Sequence, residues 1–262
     1  MDFRNKVVII TGSSKGIGKS LALKLSDLGA KVVLNGRDEH KLDQTYNEFI
    51  NAGYDCLSVV GDVSIPDDCK QLIEKTILKF SSIDIIIINA GISAIGDVSE
   101  LNPETAKQVI DVNYLGAHYL SHFGIPHLKK TKGNLIFVSS LAGIRGLPGY
   151  SIYSSSKMAL TSLAESLKIE LNKYAIHIGI LYLGFTENDV DKKMFDKDGI
   201  LIPQKSDHNF KPASREKVIL KILRSIEKRK FKTVLTPLGK TMYLINRFFP
   251  FLLELIFKNK YQ

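Results

Sequence analysis

Val7-Val8-Ile9-Ile10-Thr11-Gly12-Ser13-Ser14-Lys15-Gly16-Ile17-Gly18 is an apolar run that ends in a glycine-rich turn and passes into a helical pattern. An unbroken apolar run suits a strand buried on both faces, as in a parallel sheet covered by helices. Glycines in the turn let the backbone approach a phosphate closely, and the helix N-terminus behind them favours negative charge. The alternation repeats along the chain. Strands are expected near 6–11, Lys31–Asn35, Leu57–Val60, Asp84–Ile88, Asn134–Val138, His177–Leu183 and Thr233–Leu235. Helices are expected from Gly16 to about Leu28, on to about Asn51, and from the starts Ser64-Ile65-Pro66-Asp67 and Asn102-Pro103-Glu104. Two more run through Tyr153 and Lys157 to about Tyr174, and from a Ser214 cap to about Arg229. Residues 186–212 read as polar and irregular. Strands alternating with helices predict one doubly wound α/β domain, with a mostly or wholly parallel sheet of about seven strands and helices on both faces. Ligands in such sheets bind at the carboxyl ends of the strands, where the glycine turn lies.

The 262 residues suffice for one such domain with a substantial core, and 44% of them are hydrophobic. No repeat or low-complexity linker interrupts them. Met1-Asp2-Phe3-Arg4-Asn5-Lys6 leads straight into the first strand without signal-peptide architecture, so a cytoplasmic location is expected. Cys56 and Cys69 fall outside every motif and are expected to stay reduced. The net charge of +9 is uneven: residues 211–262 carry thirteen Lys/Arg against three Glu, a net +10, so the rest nets −1. That distribution argues against a nucleic-acid groove on the core and points to an acidic surface near the tail.

Three further elements follow in order. Asn89-Ala90-Gly91 comes after Ile85-Ile86-Ile87-Ile88, Ser140 stands thirteen residues before Tyr153, and Tyr153-Ser154-Ser155-Ser156-Lys157 carries a Tyr-x-x-x-Lys spacing. Together with the glycine turn they resemble the short-chain dehydrogenase/reductase family over roughly residues 5 to 185. The blocks Asn113-Tyr114-Leu115-Gly116, Phe137-Val138-Ser139-Ser140 and Leu183-Gly184 resemble its branch near 3-ketosphinganine reductases and 11β-hydroxysteroid dehydrogenases. The resemblance implies a Rossmann-type catalytic domain over 1–236, with a substrate loop and helix at 186–230, and an extension at 237–262.

The resemblance also implies a dinucleotide site. Gly12, Ser13, Ser14, Lys15, Gly16, Ile17 and Gly18 would cradle its pyrophosphate. NAD-binding folds usually carry a carboxylate at the end of the second strand, but Leu34-Asn35-Gly36-Arg37 has none. Arg37, with Lys15 nearby and Ser13 or Asn35 adding hydrogen bonds, fits a 2′-phosphate, so NADPH/NADP+ is the expected cofactor. In the family the aspartate of Asp62-Val63 meets the adenine; alternatively Asp62 caps the next helix. Asn89, Ala90 and Gly91 would support the sheet against the cofactor, and Gly184 and Thr186 would meet the nicotinamide end. Leucine at 183 departs from the family's usual proline and puts the local loop shape in doubt.

The chemistry needs a proton donor where hydride transfer builds charge on oxygen. A free tyrosine, with a pKa of about 10, ionises little at neutral pH. Lys157 lies one helical turn from Tyr153, and its ammonium would lower the phenol's pKa; the resemblance implies that Lys157 also holds the nicotinamide ribose, so Tyr153 and Lys157 count toward the cofactor site as well. Tyr153 is therefore the expected general acid in reduction and base in oxidation. Ser140 would polarise the carbonyl, with Ser139 as its neighbouring alternative. Asn113 matches the family asparagine that supports a proton-relay water, or is a buried structural amide. His118, His122 and His127 suit a packed or partner-facing helix better than a metal site, so no metal is expected. Family members often assemble as dimers or tetramers, and this helix often forms the dimer contact.

The tail after Pro237 is too short and too interrupted to span a membrane, and Pro250 breaks it. Phe248, Phe249, Phe251, Leu252, Leu255, Ile256 and Phe257 stand beside Arg247, Lys258 and Lys260. Peripheral contact with a membrane interface is one reading; a lid over the substrate or a dimer contact is the other. Both point to an apolar ketone or alcohol substrate, such as a 3-keto sphingoid base or a steroid. A non-catalytic nucleotide-binding regulator, or a peripheral membrane protein on the same fold, is the alternative class. The intact Ser140, Tyr153, Lys157 and Asn113 set argues against it.

Overall fold

The computed structural model describes residues 2–187, 192–204 and 212–261. Its strands are β1 (Val7–Ile10), β2 (Lys31–Gly36), β3 (Cys56–Val60), β4 (Ile85–Ile88), β5 (Asn134–Ser140), β6 (His177–Leu183), β7 (Lys193–Phe195), β8 (Leu201–Pro203) and β9 (Lys232–Val234). Seven of them form one sheet in the order β3-β2-β1-β4-β5-β6-β9, and every neighbouring pair is parallel. The helices are α1 (Gly16–Asp27), α2 (Glu39–Asn51), α3 (Pro66–Phe80), α4 (Pro103–Ile110), α5 (Gly116–Thr131), α6 (Ser151–Glu170), α7 (Arg215–Glu227), α8 (Pro237–Phe248) and α9 (Pro250–Tyr261).

The four isoleucines of β4 show why the sheet must be covered twice. Ile86 and Ile88 pack into a core with Leu120 of α5 and Leu160 of α6. Ile85 and Ile87 pack into a second core with Leu21 and Leu25 of α1 and Ile222 of α7. Side chains alternate across a strand, so each neighbour goes to the opposite layer. The strand order reverses between β1 and β4, and this opens a crevice at their carboxyl ends.

Helix α3 starts at Pro66, with the proline in its first turn as expected and no side-chain cap at Ile65. Two other boundaries depart from the expected ones. The Ser214 side chain does not cap α7; instead the Arg215 N–H donates to the Glu187 carboxylate at 2.9 Å. Helix α6 stops at Glu170 and a short 3-10 turn, Asn172–Tyr174, completes the connection.

Residues 186–212 are not wholly irregular. Strands β7 and β8 pair as an antiparallel hairpin. The hairpin docks on the loop after β4: the Phe195 N–H donates to the Ser93 carbonyl and the Ile95 N–H to the Phe195 carbonyl, both at 2.9 Å. Polar composition hid this, because the pairing partner lies about a hundred residues away. The expected loop's residues 188–191 and 205–211 lie outside the described residues.

Candidate active site

The glycine turn is held by close packing. Gly12 has φ +64°, and a Cβ there would come within 2.9 Å of the Ala90 Cα. A Cβ on Gly18 would lie 2.3 Å from the Gly12 carbonyl oxygen and 2.7 Å from Asn89 Nδ2. Asn89 straps the turn to the end of β4, its Nδ2 donating to the carbonyls of Thr11 and Gly12 at 2.9 and 3.1 Å. The Thr11 hydroxyl accepts from the Asn89 and Ala90 N–H groups, both at 3.0 Å. Thr11 was not among the expected site residues; a threonine at the carboxyl end of the first strand is its only signal in the sequence.

Helix α1 begins with no side-chain cap at Lys15 and no acidic residue in its first turn. Its N–H groups therefore keep an anion-attracting end beside the turn. Those features fit a dinucleotide's pyrophosphate.

At the β2 end, the side chains of the expected ligands Ser13 and Asn35 are turned inward. Ser13 is fully buried; its hydroxyl donates to the Ile10 carbonyl at 2.8 Å and accepts from the Asn35 N–H at 2.9 Å. The Asn35 amide is buried too and donates to the carbonyls of Val59 and Gly61 at 3.1 and 3.2 Å. Both side chains are spent on holding strands together. Ser14 instead faces the outer corner, its Oγ 3.1 Å from where a Cβ on Gly36 would stand. Arg37 is exposed there, 3.7 Å from the Asp62 carboxylate. Asp62 also accepts from the Ser64 N–H and hydroxyl at 2.9 and 2.7 Å, which shapes the turn into α3 rather than capping the helix. Val63 is buried, its carbonyl 2.8 Å from where a Cβ on Gly116 would stand.

Ser140 ends β5, while Tyr153 and Lys157 lie on the first turns of α6. The Ser140 side chain adjoins the Tyr153 phenol and favours its ionised form. Ser139 points the other way: it is buried and donates to the Lys157 carbonyl at 3.1 Å. Strand alternation thus turns Ser139 away from the side on which Ser140 adjoins Tyr153. The buried Lys157 ammonium donates to the Val138 carbonyl at 3.2 Å. A Cβ on Gly91 would lie 3.1 Å from both Lys157 Nζ and Asn113 Oδ1, so those groups converge on one spot.

Asn113 sits in a π-helical segment, Asp111–Leu115, between α4 and α5. Its Oδ1 accepts from the Ile92 N–H at 2.8 Å, and its Nδ2 donates to the Ile92 carbonyl and Ser156 Oγ, both at 2.9 Å. The side chain is buried and engaged within the protein, so it acts by positioning. Ser156 passes the linkage on, its hydroxyl donating to the Tyr153 carbonyl at 2.7 Å. π-bulges of this kind are frequent at functional sites.

The phenol's electrostatics differ from the expected ones. Burial is the largest influence and pushes Tyr153 above its ordinary value, with Ser140 opposing and Tyr150 adding to the rise. The Lys157 Nζ lies 5.9 Å from the Tyr153 ring centroid. Burial pushes Lys157 down to about 8, and Lys192 contributes in the same direction. Tyr150 stands close enough to Tyr153 to matter electrostatically.

After β6, Gly184 is required by proximity. A Cβ there would lie 2.2 Å from Thr236 Oγ1, the hydroxyl that caps α8. Thr186 donates to the Gly184 carbonyl at 3.1 Å and bridges to Ala213. The tail thus starts against the site. Asn246 of α8 donates to the Ile144 carbonyl and accepts from Arg145, both at 3.2 Å. Arg145 also lies 3.8 Å from Glu254 of α9. The exposed His118 and His122 lie edge-on to Tyr119 and Phe123.

The family profile described as short chain dehydrogenase matches residues 6–199. The 11-beta-hydroxysteroid dehydrogenase-like 4A of Arabidopsis thaliana is 41% identical over 187 residues, 70% of this chain and 62% of that protein. This chain thus spans less than two thirds of that relative's length. A Dictyostelium discoideum protein, dehydrogenase/reductase SDR family protein 7-like, is 32% identical over 97% of this chain and 81% of its own. Among solved structures, a Burkholderia phymatum short chain dehydrogenase/reductase in complex with NAD superposes with TM-score 0.83 at 22% identity, over 94% of each chain. A Burkholderia cenocepacia gluconate 5-dehydrogenase in complex with NADP and tartrate superposes with TM-score 0.67 at 26% identity, over 71% of this chain and 74% of its own.

Proposed function

Because the chain belongs to the short-chain dehydrogenase/reductase family, we propose that it is an NADP(H)-dependent oxidoreductase interconverting an apolar ketone and its secondary alcohol. The observation that carries this reading is the convergence of Ser140, Tyr153 and Lys157 beside the glycine turn. Residues 1–236 form the catalytic domain on this reading, with 186–230 as its substrate segment and 237–262 as an extension for peripheral contact.

A nicotinamide cofactor, when bound, supplies or accepts the hydride at the substrate carbon. The chain's own residues handle the proton and the charge. In reduction, the Tyr153 hydroxyl gives its proton to the substrate oxygen; in oxidation it takes one back. Burial above its ordinary pKa keeps the phenol protonated and ready to donate. Ser140 donates a hydrogen bond to the same oxygen. The Lys157 ammonium stabilises the tyrosinate left behind. Asn113, through Ile92 and Ser156, holds α6 against the loop after β4.

Recognition of a 2′-phosphate is supported by the exposed Arg37 after β2, the Ser14 hydroxyl beside Gly36, Lys15 in the glycine turn and the lack of a strand-two carboxylate. The apolar substrate is supported by Ile92, Ile152 and Phe195, which pack with Ala94, Leu101 and Val109 between Asn113 and the hairpin. A 3-keto sphingoid base or a steroid has that character. Dimeric or tetrameric assembly and a cytoplasmic location complete the reading.

The test is NADPH oxidation by the full chain against ketones graded from short-chain to lipid-sized, beside Tyr153→Phe. Turnover that rises with apolar length and vanishes in the variant is expected. Equal turnover of all lengths overturns the substrate reading, and an active variant overturns the proton donor.

A further inference from the structure

The two C-terminal helices, α8 and α9, are short. Each is 12 residues long, and among the described residues no helix is long and apolar enough to cross a membrane. Their inner side is committed. Gly239 stands against Leu141, where a Cβ would approach Leu141 Cδ2 to 2.8 Å. Tyr243 packs near Tyr182 at 6.5 Å between ring centroids, and Leu253 is buried. Their outer side has no partner within the described chain: Phe248 is 63% and Phe251 62% exposed, beside exposed Leu244, Phe249, Leu255 and Ile256.

We propose that this outer face docks onto the headgroup region of an anionic lipid bilayer and holds the active-site loop beside that surface. The charge pattern selects the occupant. Lys240, Arg247 and Lys258 are exposed around the apolar face, and Arg247 lies over the Phe248 ring at 5.7 Å. The sole acidic residue of 237–262, Glu254, is drawn to Arg145 of the catalytic domain. The cations around the exposed rings are thus left facing outward, the arrangement that anionic headgroups attract. A twofold contact between copies would double the same patch and set three cations of each copy against a single carboxylate, Glu254. Phe248 and Phe251 face solvent, the orientation that contact with an external surface needs.

The docking face is rigidly tied to the catalytic loop. Asn246 and Arg145 fasten α8 to the segment Leu141–Gly149, which connects Ser140 to the helix carrying Tyr153. Gly184 meets Thr236 at the start of the same helix. A bilayer under α8–α9 would therefore lie next to the mouth of the site, where an apolar substrate dissolved in lipid would enter. The entry consequence rests on the apolar-substrate reading above; the docking itself does not.

The test is co-sedimentation of the full chain with phosphatidylcholine vesicles, with and without phosphatidylserine, read alongside size-exclusion chromatography. Binding to the serine-containing vesicles, weakened by salt, is expected. The double variant Phe248→Ser/Phe251→Ser should partition about tenfold or more weakly, with unchanged melting temperature and unchanged turnover of a short soluble ketone. No sedimentation of the intact chain with either vesicle overturns the proposal. So does a double variant that still sediments, or one that splits an oligomer, which would make the face a contact between copies. Vesicle binding without any ketone reduction would overturn the proposed function and leave the docking intact.

Discussion

The glycine turn and the C-terminal helices are built on opposite packing rules. Around Gly12 and Gly18 a single added methyl group would collide with backbone or with Asn89. Around Phe248 and Phe251 whole aromatic rings stand in solvent. The first region must present backbone N–H groups to a fixed, charged ligand, so every atom is held. The second region holds its inner side as firmly, through Gly239 and Asn246, yet leaves its outer side unmatched. Order on one side of a helix is thus no guide to what the other side is for.

The largest expected effect sits between the two regions. Tyr153→Phe should reduce turnover by roughly 10²–10⁴-fold while leaving NADPH affinity nearly intact, read by fluorescence titration. Lys157→Ala should lower both, because the ammonium serves the proton donor and the cofactor. Ketone reduction should also decline as pH rises past about 8, where the depressed Lys157 loses its proton.

Gly18→Ala should sharpen the comparison next. Its Cβ meets backbone at 2.3 Å, so a loss of about 1–3 kcal/mol in stability is expected, with weakened cofactor binding. Leu255→Ser, on the exposed tail face, should leave the melting temperature unchanged. Equal losses at both sites would erase the distinction.

Arg37→Asp tests the edge of the held region. It removes a charge-assisted contact worth about 1.5–3 kcal/mol, so preference should move from NADPH toward NADH by roughly ten- to a hundredfold. Ser13→Ala should not change the preference, because that hydroxyl is turned inward.

His177 supplies a smaller effect, far from both regions at the start of β6. Burial, with Arg229 and Lys168 nearby, pushes it down from 6.5 to about 4. Between those values the unfolded chain binds the proton first, so stability falls as pH drops through that window. Thermal melts should show a shallower decline in His177→Gln than in the parent. The smallest effect is expected for Asn246→Ala, which loses part-buried hydrogen bonds worth about 0.5–1.5 kcal/mol each. Its melting temperature should fall slightly while the vesicle-bound fraction is kept.

The sequence by itself determined the sheet, because each buried strand announces itself as a local apolar run. Ile85–Ile88 and His177–Leu183 could be read within a residue of their observed bounds. It also marked Ser140, Tyr153 and Lys157, whose spacing along one strand–helix connection brings them together locally. What only the tertiary structure decided depends on partners distant in the chain. The β7–β8 hairpin exists by pairing with Ser93–Ile95. Ser13 and Asn35 leave the phosphate corner because neighbouring strands consume their side chains. Burial, not the lysine's charge, dominates the Tyr153 phenol. The two sides of α8 separate only once Leu141 and Ile144 cover one of them. Composition records which groups are apolar, charged or able to donate a hydrogen bond; which of them remain available is set by what the fold brings against them.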